Sequence, residues 1–493
     1  MAVILRASDF HTYLRPSKCG LRVYLKHCGE QEATPGPYEE ALHRLGKRHE
    51  QSHLKTFPEY VDISSGTIDQ REYRTKKSVK QGAQVLYQPV LRAKAVLKGV
   101  DCEIIGEPDF LIHEKEQYIV RDSKISRRIT EDAHPEILRQ LEVYGWLYEQ
   151  AFGQPPFGLQ VHSGTGEIVS LHYKGGATVL ESLMEILNLK QVEAEPYEPV
   201  GWSKCASCCF RFRCLFKAEE SQDIALVPGV DQGLAKALYH KGIRTINQFL
   251  DRFNEASLAE FERPWGKKTR RVGRAAASKI MRMTQAMLSG KEIFIQPPEI
   301  PESANYVMFD LEGLPPQLDE LDKIYLWGLQ VFGENPGSYQ AALAGFGVDG
   351  DRQGWEEFLI KAREIFQEYG DIPFVHWHHY EQVRLRTYMD RYGDPDGVAA
   401  RVQANLLDLL PITQNSLALP LPSYSLKLVE KYAGYERKMD EYGGDWAMAK
   451  YIEATETEDS NQRDQVLKQI LDYNREDLEA TWAVLKWLKT KSG

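Results

Sequence analysis

The chain has 493 residues, a hydrophobic fraction of 42% and a formal net charge of −10. The length allows roughly three domains, and the apolar content is enough to bury real cores. The acidic balance excludes a simple polycationic coat for nucleic acid, and the lack of a long apolar run excludes a membrane-spanning helix. The apolar start Met1–Leu5 is short and interrupted by Arg6 and Asp9, so no secretory signal is expected and the expected compartment is the cytoplasm. Of seven cysteines, four (Cys205, Cys208, Cys209 and Cys214) fall within ten residues, a spacing that suggests metal binding over disulfides.

In chain order, Glu103–Lys124 reads as strand, turn, strand. A helix follows, opened by Asp132 and Pro135, with Ile137, Leu138, Leu141, Tyr144 and Leu147 on one stripe. Then "GLQVHSGTGEIVSLHY" predicts a hairpin around Ser163–Gly166. Together these elements make an α/β unit with a mixed sheet. The stretch from Ala225 to Lys291 carries 13 Lys and Arg against 5 Asp and Glu, a net of +8 inside an acidic chain. The proline-rich "QPPEIPES" at 296–303 reads as a linker. A second α/β pattern follows, with strands expected at 306–309, 324–332, 339–344, 373–377 and 406–410 and helices at 354–369, 380–392 and 461–489. The expected fold class is therefore α/β multidomain, with domains at 1–222, 223–295 and 303–493.

Four features are ordered along the first domain: His49 in "RLGKRHE", Asp109 in "GEPD", Asp122 and Lys124 in "DSK", and Gln140 with Tyr144 on the next helix. Side chains alternate along a strand, so Asp122 and Lys124 share a face that Asp109 can approach from the neighbouring strand. Two carboxylates and an imidazole suit Mg²⁺ or Mn²⁺. Lys124 can stabilise charge on phosphoryl oxygens, and Gln140 and Tyr144, one turn apart, can hold the strand backbone or a nucleic acid. The bland alternative is a surface ion pair of Asp122 with Lys124 and a turn at Asp109. The ordered set resembles the RecB-type PD-(D/E)XK nucleases, in the branch that includes iron–sulfur members, over roughly residues 8–217. The resemblance implies that His49, Asp109 and Asp122 hold metal and that Lys124 is catalytic.

Cys205, Cys208 and Cys214 supply three thiols, and Cys19 in "RPSKCGL" a fourth. Four soft ligands suit a [4Fe–4S] cluster or a structural zinc, and buried free thiols are the bland alternative. Cys209 could replace Cys208, Cys28 could replace Cys19, and Cys102 reads as a core residue. The iron–sulfur branch of the same nuclease family has this layout of one cysteine before the core and three after it.

"ALVPGVDQGLAKALYHKGIRTINQFL" resembles a helix–hairpin–helix module, with the hairpin at Pro228-Gly229-Val230 contacting phosphates through backbone amides. "GKKTRRVGRAAASKI", containing Lys267, Lys268, Arg270 and Arg271, reads as a second copy or a basic loop leading into a helix. Both fit non-specific backbone binding, against the alternative of a solvated helical spacer.

In the last domain "YVMFDLEG" places Asp310 and Glu312 on one face of a strand, Glu381 follows another strand, and Tyr473 and Asp477 lie one helical turn apart. This order resembles the RNase H-like DEDD exonucleases whose third motif is Y-x-x-x-D. The resemblance implies metal held by Asp310, Glu312 and Asp477 and a water oriented by Tyr473. Glu381 stands where that family has aspartate, and glutamate reaches further. Asp408 is either a helper or structural, and His376, His378 and His379 read as core or surface residues.

The domain order resembles bacterial RecB-like nuclease proteins. The whole implies a metal-dependent nuclease acting on DNA or RNA, with DNA and single-stranded ends favoured and two nuclease-type sites. The alternatives are a nucleic-acid-binding scaffold, a nuclease with a spent C-terminal site, or a redox sensor. No G-x-x-x-x-G-K-[ST] loop occurs, so the chain is not itself a helicase but could act beside one.

Overall fold

The strand Asn305–Leu314 carries the unbroken apolar run Tyr306–Phe309, and such a strand is stable only when both of its faces are covered. It is the middle strand of a five-stranded sheet in the computed structural model, which describes residues 2–266, 268–315, 322–439 and 443–491, all with side chains except Trp202 and Ser203. The sheet order is Gln340–Leu343, Lys323–Gly333, Asn305–Leu314, Phe374–His376, Leu406–Asp408. The first three strands are antiparallel, and the last two run parallel to the middle one. On one side the helix Gly347–Tyr369 buries Trp355 and Phe358 against Trp327 and Phe309. The long helix Ser460–Lys489, capped by Asp459, also packs against the middle strand and carries Tyr473 and Asp477.

The chain divides into two compact units. The five-stranded sheet belongs to the second, built from Arg213–Gly493 with the short stretches Gly36–Ala41 and Pro199–Trp202. The basic helical stretch is part of this unit and shares its core. Ile280 and Met283 of the helix Arg274–Ser289 cluster with Leu417, Leu419 and Tyr424. The proline-rich stretch leaves this body closed around it. Ile293–Phe294 pairs with Leu417–Ala418, and the Ile295 amide donates to the Ser416 carbonyl at 2.8 Å.

The first unit holds Leu42–Glu198 with Met1–Pro35 and Ser203–Phe212. Its six-stranded sheet runs Val61–Asp62, Val85–Tyr87, Phe110–Glu114, Gln117–Ser123, Gly158–His162, Ile168–Leu171. Gln117–Ser123 and Gly158–His162 are parallel and joined by the crossover helix Pro135–Phe152. That helix starts at a proline and stops at Gly153, whose φ of 72° suits glycine. Residues 103–112, expected as one strand, are instead two: Val100–Gly106 lies in a separate sheet with Val3–Arg6 and Leu91–Leu97, and Phe110–Glu114 lies in the six-stranded one. Among the described residues no helix is long and apolar enough to cross a membrane.

Candidate functional site

Strand alternation puts Asp310 and Glu312 on one face, and the helix Ser460–Lys489 brings Asp477 to the same point. Their ligand oxygens lie within 4.8 Å of one another, and among the described residues no other set of three His, Cys, Asp or Glu side chains does so. All three carboxyls are held above the usual carboxylate range. For Asp310 the causes are burial, then the like charges of Asp477, Glu312 and Glu381. For Glu312 they are burial and Asp477, and for Asp477 burial outweighs the opposing pull of Arg437.

Each carboxylate has an orienting partner. The Asn474 amide donates to Asp310 Oδ2 at 2.7 Å, and its own oxygen accepts from the Tyr339 hydroxyl at 2.9 Å. The Tyr325 hydroxyl reaches Glu312 Oε2 at 3.5 Å. Tyr473 hydrogen-bonds Asp477 from one turn away, and its own hydroxyl is held protonated by burial and by the Asp477 charge. Arg437 donates to Asp477 Oδ1 at 2.5 Å and grips both oxygens of Glu430 at 2.5 and 2.9 Å. Lys427 adds a second positive field on Glu312 and Asp477. Sequence reasoning missed Asn474, Arg437 and Lys427. For Asn474 the signal was a polar side chain inside the buried stripe of Ile470, Tyr473, Asp477 and Thr481.

Glu381 is buried at the start of the helix Tyr380–Tyr392 and bears electrostatically on Asp310 and Glu312. It stands outside the three-carboxylate group, paired with His376 Nδ1 at 3.1 Å. Burial works against a charged His376 ring, yet Glu381 more than offsets it and the ring's pKa is raised. Asp408 caps the helix Leu409–Ser416 through the Leu410 amide at 3.0 Å and holds the His378 amide at 2.9 Å, so its visible role is structural. His378 has φ 80°, an uncommon conformation that this bond pins.

Three acidic oxygen donors at one point suit a hard divalent cation such as Mg²⁺ or Mn²⁺. Their raised pKa values carry a stability consequence. A carboxyl raised above its unfolded value, near pH 4, contributes stability below that value and loses it as pH rises through the folded value. The stability these three carboxyls contribute to the metal-free protein should thus be lost from about pH 4 upward, and Mn²⁺ should add about 2.7 kcal/mol at a hundred times its Kd. Differential scanning fluorimetry should show a larger Mn²⁺-induced rise in Tm at alkaline than at acidic pH. An equal rise at both would contradict this electrostatic reading.

Gly328 of the strand Lys323–Gly333 lies against Asn474 of the helix Ser460–Lys489, and a Cβ there would lie 1.8 Å from Asn474 Oδ1. Gly328→Ala should displace Asn474 from Asp310, costing about 1–3 kcal/mol of stability. Denaturant unfolding should show that loss, and Mn²⁺ affinity should fall with it. Unchanged stability would mean the site relaxes freely.

In the first unit Asp109 Oδ2 accepts the Ser123 amide at 2.7 Å, and Asp122 Oδ1 accepts the Asp109 amide at 3.2 Å. Lys124 Nζ is 2.6 Å from Asp122 Oδ2. Burial pushes Asp109 up, as do Asp122 and Glu50, while Lys124 pulls it down. Burial opposes the Lys124 charge, but Asp122 and Asp109 outweigh it and its pKa is raised. Glu50 enters through Gln88, whose amide donates to Glu50 Oε1 at 2.7 Å and to Asp109 Oδ1 at 3.1 Å. His49 stacks on His162 with ring centroids 4.2 Å apart, its Nε2 3.4 Å from the His162 carbonyl. The carboxylate that the helix Pro37–Leu54 adds beside Asp109 is thus Glu50, which the sequence reading did not single out. Gln140 donates to the Tyr144 hydroxyl at 2.6 Å, and Tyr144 donates to the Glu107 carbonyl at 3.1 Å, so both hold the strand backbone. A Cβ on Gly106 would lie 2.7 Å from Tyr144, so the strand needs glycine there.

Cys19 precedes the helix Gly20–His27, Cys205 ends Trp202–Cys205, and Cys214 lies in Arg211–Glu220. Cys208 is pulled down to about 6 by a hydrogen bond from the Cys209 thiol, with burial opposing and Arg22 assisting. Thiol chemistry suits a cluster or zinc; among the described residues of the first unit the sulfurs of Cys19, Cys205 and Cys208 do not all lie within 4.8 Å of one another.

The Pro228-Gly229-Val230 turn follows a short 3₁₀ turn and leads into Gln232–Tyr239, capped by Asp231. Gly229 has φ 95°. The following basic stretch leads into the helix Arg274–Ser289, as one of the two readings had it, but its start is a strand and not a loop. Glu262–Trp265 and Lys268–Arg271 pair as antiparallel strands, and Gly266, after the first, has φ 60°, which suits glycine. Lys268, Arg270 and Arg271 are exposed on the second strand, and Lys267 lies outside the described residues.

Residues 307–489 match the family model of the RNase H superfamily. The crystal structure of SSO0001 aligns at 14% identity over 43% of this chain and 87% of that chain, with a TM-score of 0.26. A crystal structure described as an exonuclease, from Eubacterium rectale, aligns at 14% identity over the same shares, with a TM-score of 0.27. Scores this low establish no shared overall fold. A search of curated proteins finds no match. The matched range contains Asp310, Glu312, Glu381, Tyr473 and Asp477, and it is an RNase H superfamily domain.

Proposed function

We propose that the protein is a metal-dependent nuclease that hydrolyses phosphodiester bonds, with one site at Asp310, Glu312 and Asp477 and a second at Asp109, Asp122 and Lys124. DNA is the preferred substrate class, and the C-terminal site acts as an exonuclease on single-stranded ends. The observation that carries the reading is the convergence of three buried carboxylates within an RNase H superfamily domain.

A divalent cation held by Asp310, Glu312 and Asp477 would polarise the phosphate and make a bound water acidic. The protein's own groups do the positioning. Asn474 fixes Asp310, Tyr325 steadies Glu312, and Arg437 holds Asp477 and pulls against the effect of burial on it. Tyr473, protonated and donating to Asp477, can accept a hydrogen bond from an attacking water and so orient it. In the first unit Lys124 stays charged and can stabilise negative charge on a phosphoryl oxygen, with Asp109, Asp122 and Glu50 as the acidic donors.

The pairing of Glu381 with His376 favours a second reading, in which the C-terminal domain binds nucleic acid and only the first site cuts. One experiment separates the two. End-labelled single-stranded and duplex DNA and RNA are incubated with Mn²⁺ and wild type, Lys124→Ala or Asp310→Asn. Two active sites give each variant a different missing set of products. Loss confined to Lys124→Ala supports the second reading, and no cleavage by wild type sinks both.

A further inference from the structure

Trp265 is 52% exposed at the end of the strand Glu262–Trp265, an unusual place for a large apolar ring. Two guanidiniums lie on it, Arg263 at 4.8 Å and Arg270 at 5.0 Å from the ring centroid. They play different parts. Arg263 is buried and ion-paired with Asp231, the residue that caps Gln232–Tyr239 through the Leu234 amide at 3.0 Å. The base of the hairpin is thereby fixed to the helix behind it. A Cβ on Gly233 would come within 3.1 Å of the Pro264 carbonyl, so helix and hairpin are in close contact. Arg270 is exposed, as are Lys268, Thr269 and Arg271 on the second strand.

The result is a rigid, solvent-facing indole beside a row of cations. It lies in a stretch of net +8 within a chain of net −10. A structural role does not account for this arrangement, because the ring covers no core and the second strand faces solvent along its whole length. An exposed aromatic next to backbone-tracking cations is the combination that takes up unpaired bases, whose faces stack on the ring while phosphates pair with Lys and Arg. Duplex DNA keeps its bases stacked on one another and offers the indole no face.

We propose that the paired strands Glu262–Trp265 and Lys268–Arg271 form a binding platform for single-stranded nucleic acid, with a base stacked on Trp265 and adjoining phosphates on Lys268 and Arg270, which share its face. The substrate class rests on the nuclease reading, and the platform itself does not depend on catalysis. Arg263 keeps the ring in place, and Arg270 can leave the ring to meet a phosphate.

Binding of a fluorescein-labelled oligothymidylate, and of its duplex with oligoadenylate, is measured by anisotropy in EDTA for wild type, Trp265→Ala, Trp265→Phe and Arg270→Ala. Circular dichroism confirms that each variant is folded. Trp265→Ala should weaken single-strand binding by between about 5- and 150-fold, the range for losing one base stack. Trp265→Phe should recover most of it, and duplex binding should barely change. Arg270→Ala should weaken binding and reduce its salt dependence. Wild-type-like binding by Trp265→Ala, an equal loss for duplex, or a phenylalanine variant as weak as the alanine one would each overturn the proposal. So would wild type that ignores oligothymidylate, which would leave the hairpin to a protein partner. Trp265-dependent binding without any Mn²⁺-dependent cleavage would keep the platform and remove the nuclease reading. Cleavage with Trp265-independent binding would do the reverse.

Discussion

Asp310→Asn should lower cleavage at the C-terminal site by more than about 100-fold and at the same time raise the Tm of the metal-free protein. The loss follows from removing one of three ligands, since even the partners of metal ligands are worth about 10- to 100-fold. The gain follows from the electrostatics. Asp310 is buried beside Asp477 and Glu312, and its ionisation is resisted by all of them. A neutral amide of the same shape removes that repulsion. The Asn474 amide can still donate to an amide oxygen in its place, so no buried donor is left unpaired. Cleavage assays and thermal melts on the same preparation check both halves. A variant that loses activity and also melts lower without metal would mean that Asp310 is chiefly a structural residue.

Arg437→Ala should destabilise the metal-free protein by about 3–5 kcal/mol, the cost of removing one partner from a buried ion pair. Arg437 is mostly buried and serves Glu430 with two hydrogen bonds and Asp477 with one. Without it the buried Glu430 and Asp477 lose the cation they share, while Lys427 and the Tyr473 hydroxyl still favour a charged Asp477. Mn²⁺ should restore more stability to this variant than to wild type, because the cation replaces the missing charge at Asp477. Arg437→Lys should recover part of the loss, since an ammonium keeps the charge but cannot make the forked contact. Urea unfolding with and without Mn²⁺ measures all three. A loss below about 1 kcal/mol in Arg437→Ala would place the contact among ordinary surface ion pairs.

Much of the second unit was legible from local pattern. Asp310 and Glu312 two apart in an apolar strand, and Tyr473 and Asp477 four apart on a helix, are fixed in direction by the periods of the elements themselves. The residues that support them were not legible. Asn474, Arg437 and Gly328 acquire their meaning from which strand and loop pack against the helix, and no local period encodes that register. In the first unit Glu50 was not legible, because it bears on Asp109 through Gln88, a residue that no motif marks. The paired strands Glu262–Trp265 and Lys268–Arg271 were hidden for a different reason. The second is charged at three of four positions, so the alternation that marks a strand is absent, and Gly266 was the only signal.

The most direct measurement is anomalous scattering from crystals of the wild-type protein soaked in Mn²⁺. The expected result is a manganese peak within coordination distance of Asp310, Glu312 and Asp477, at about 2.2 Å from their oxygens, and its loss in Asp310→Asn. A map with no peak among these three carboxylates, from protein that cleaves nucleic acid in the same Mn²⁺ buffer, would contradict a metal-dependent centre at this site.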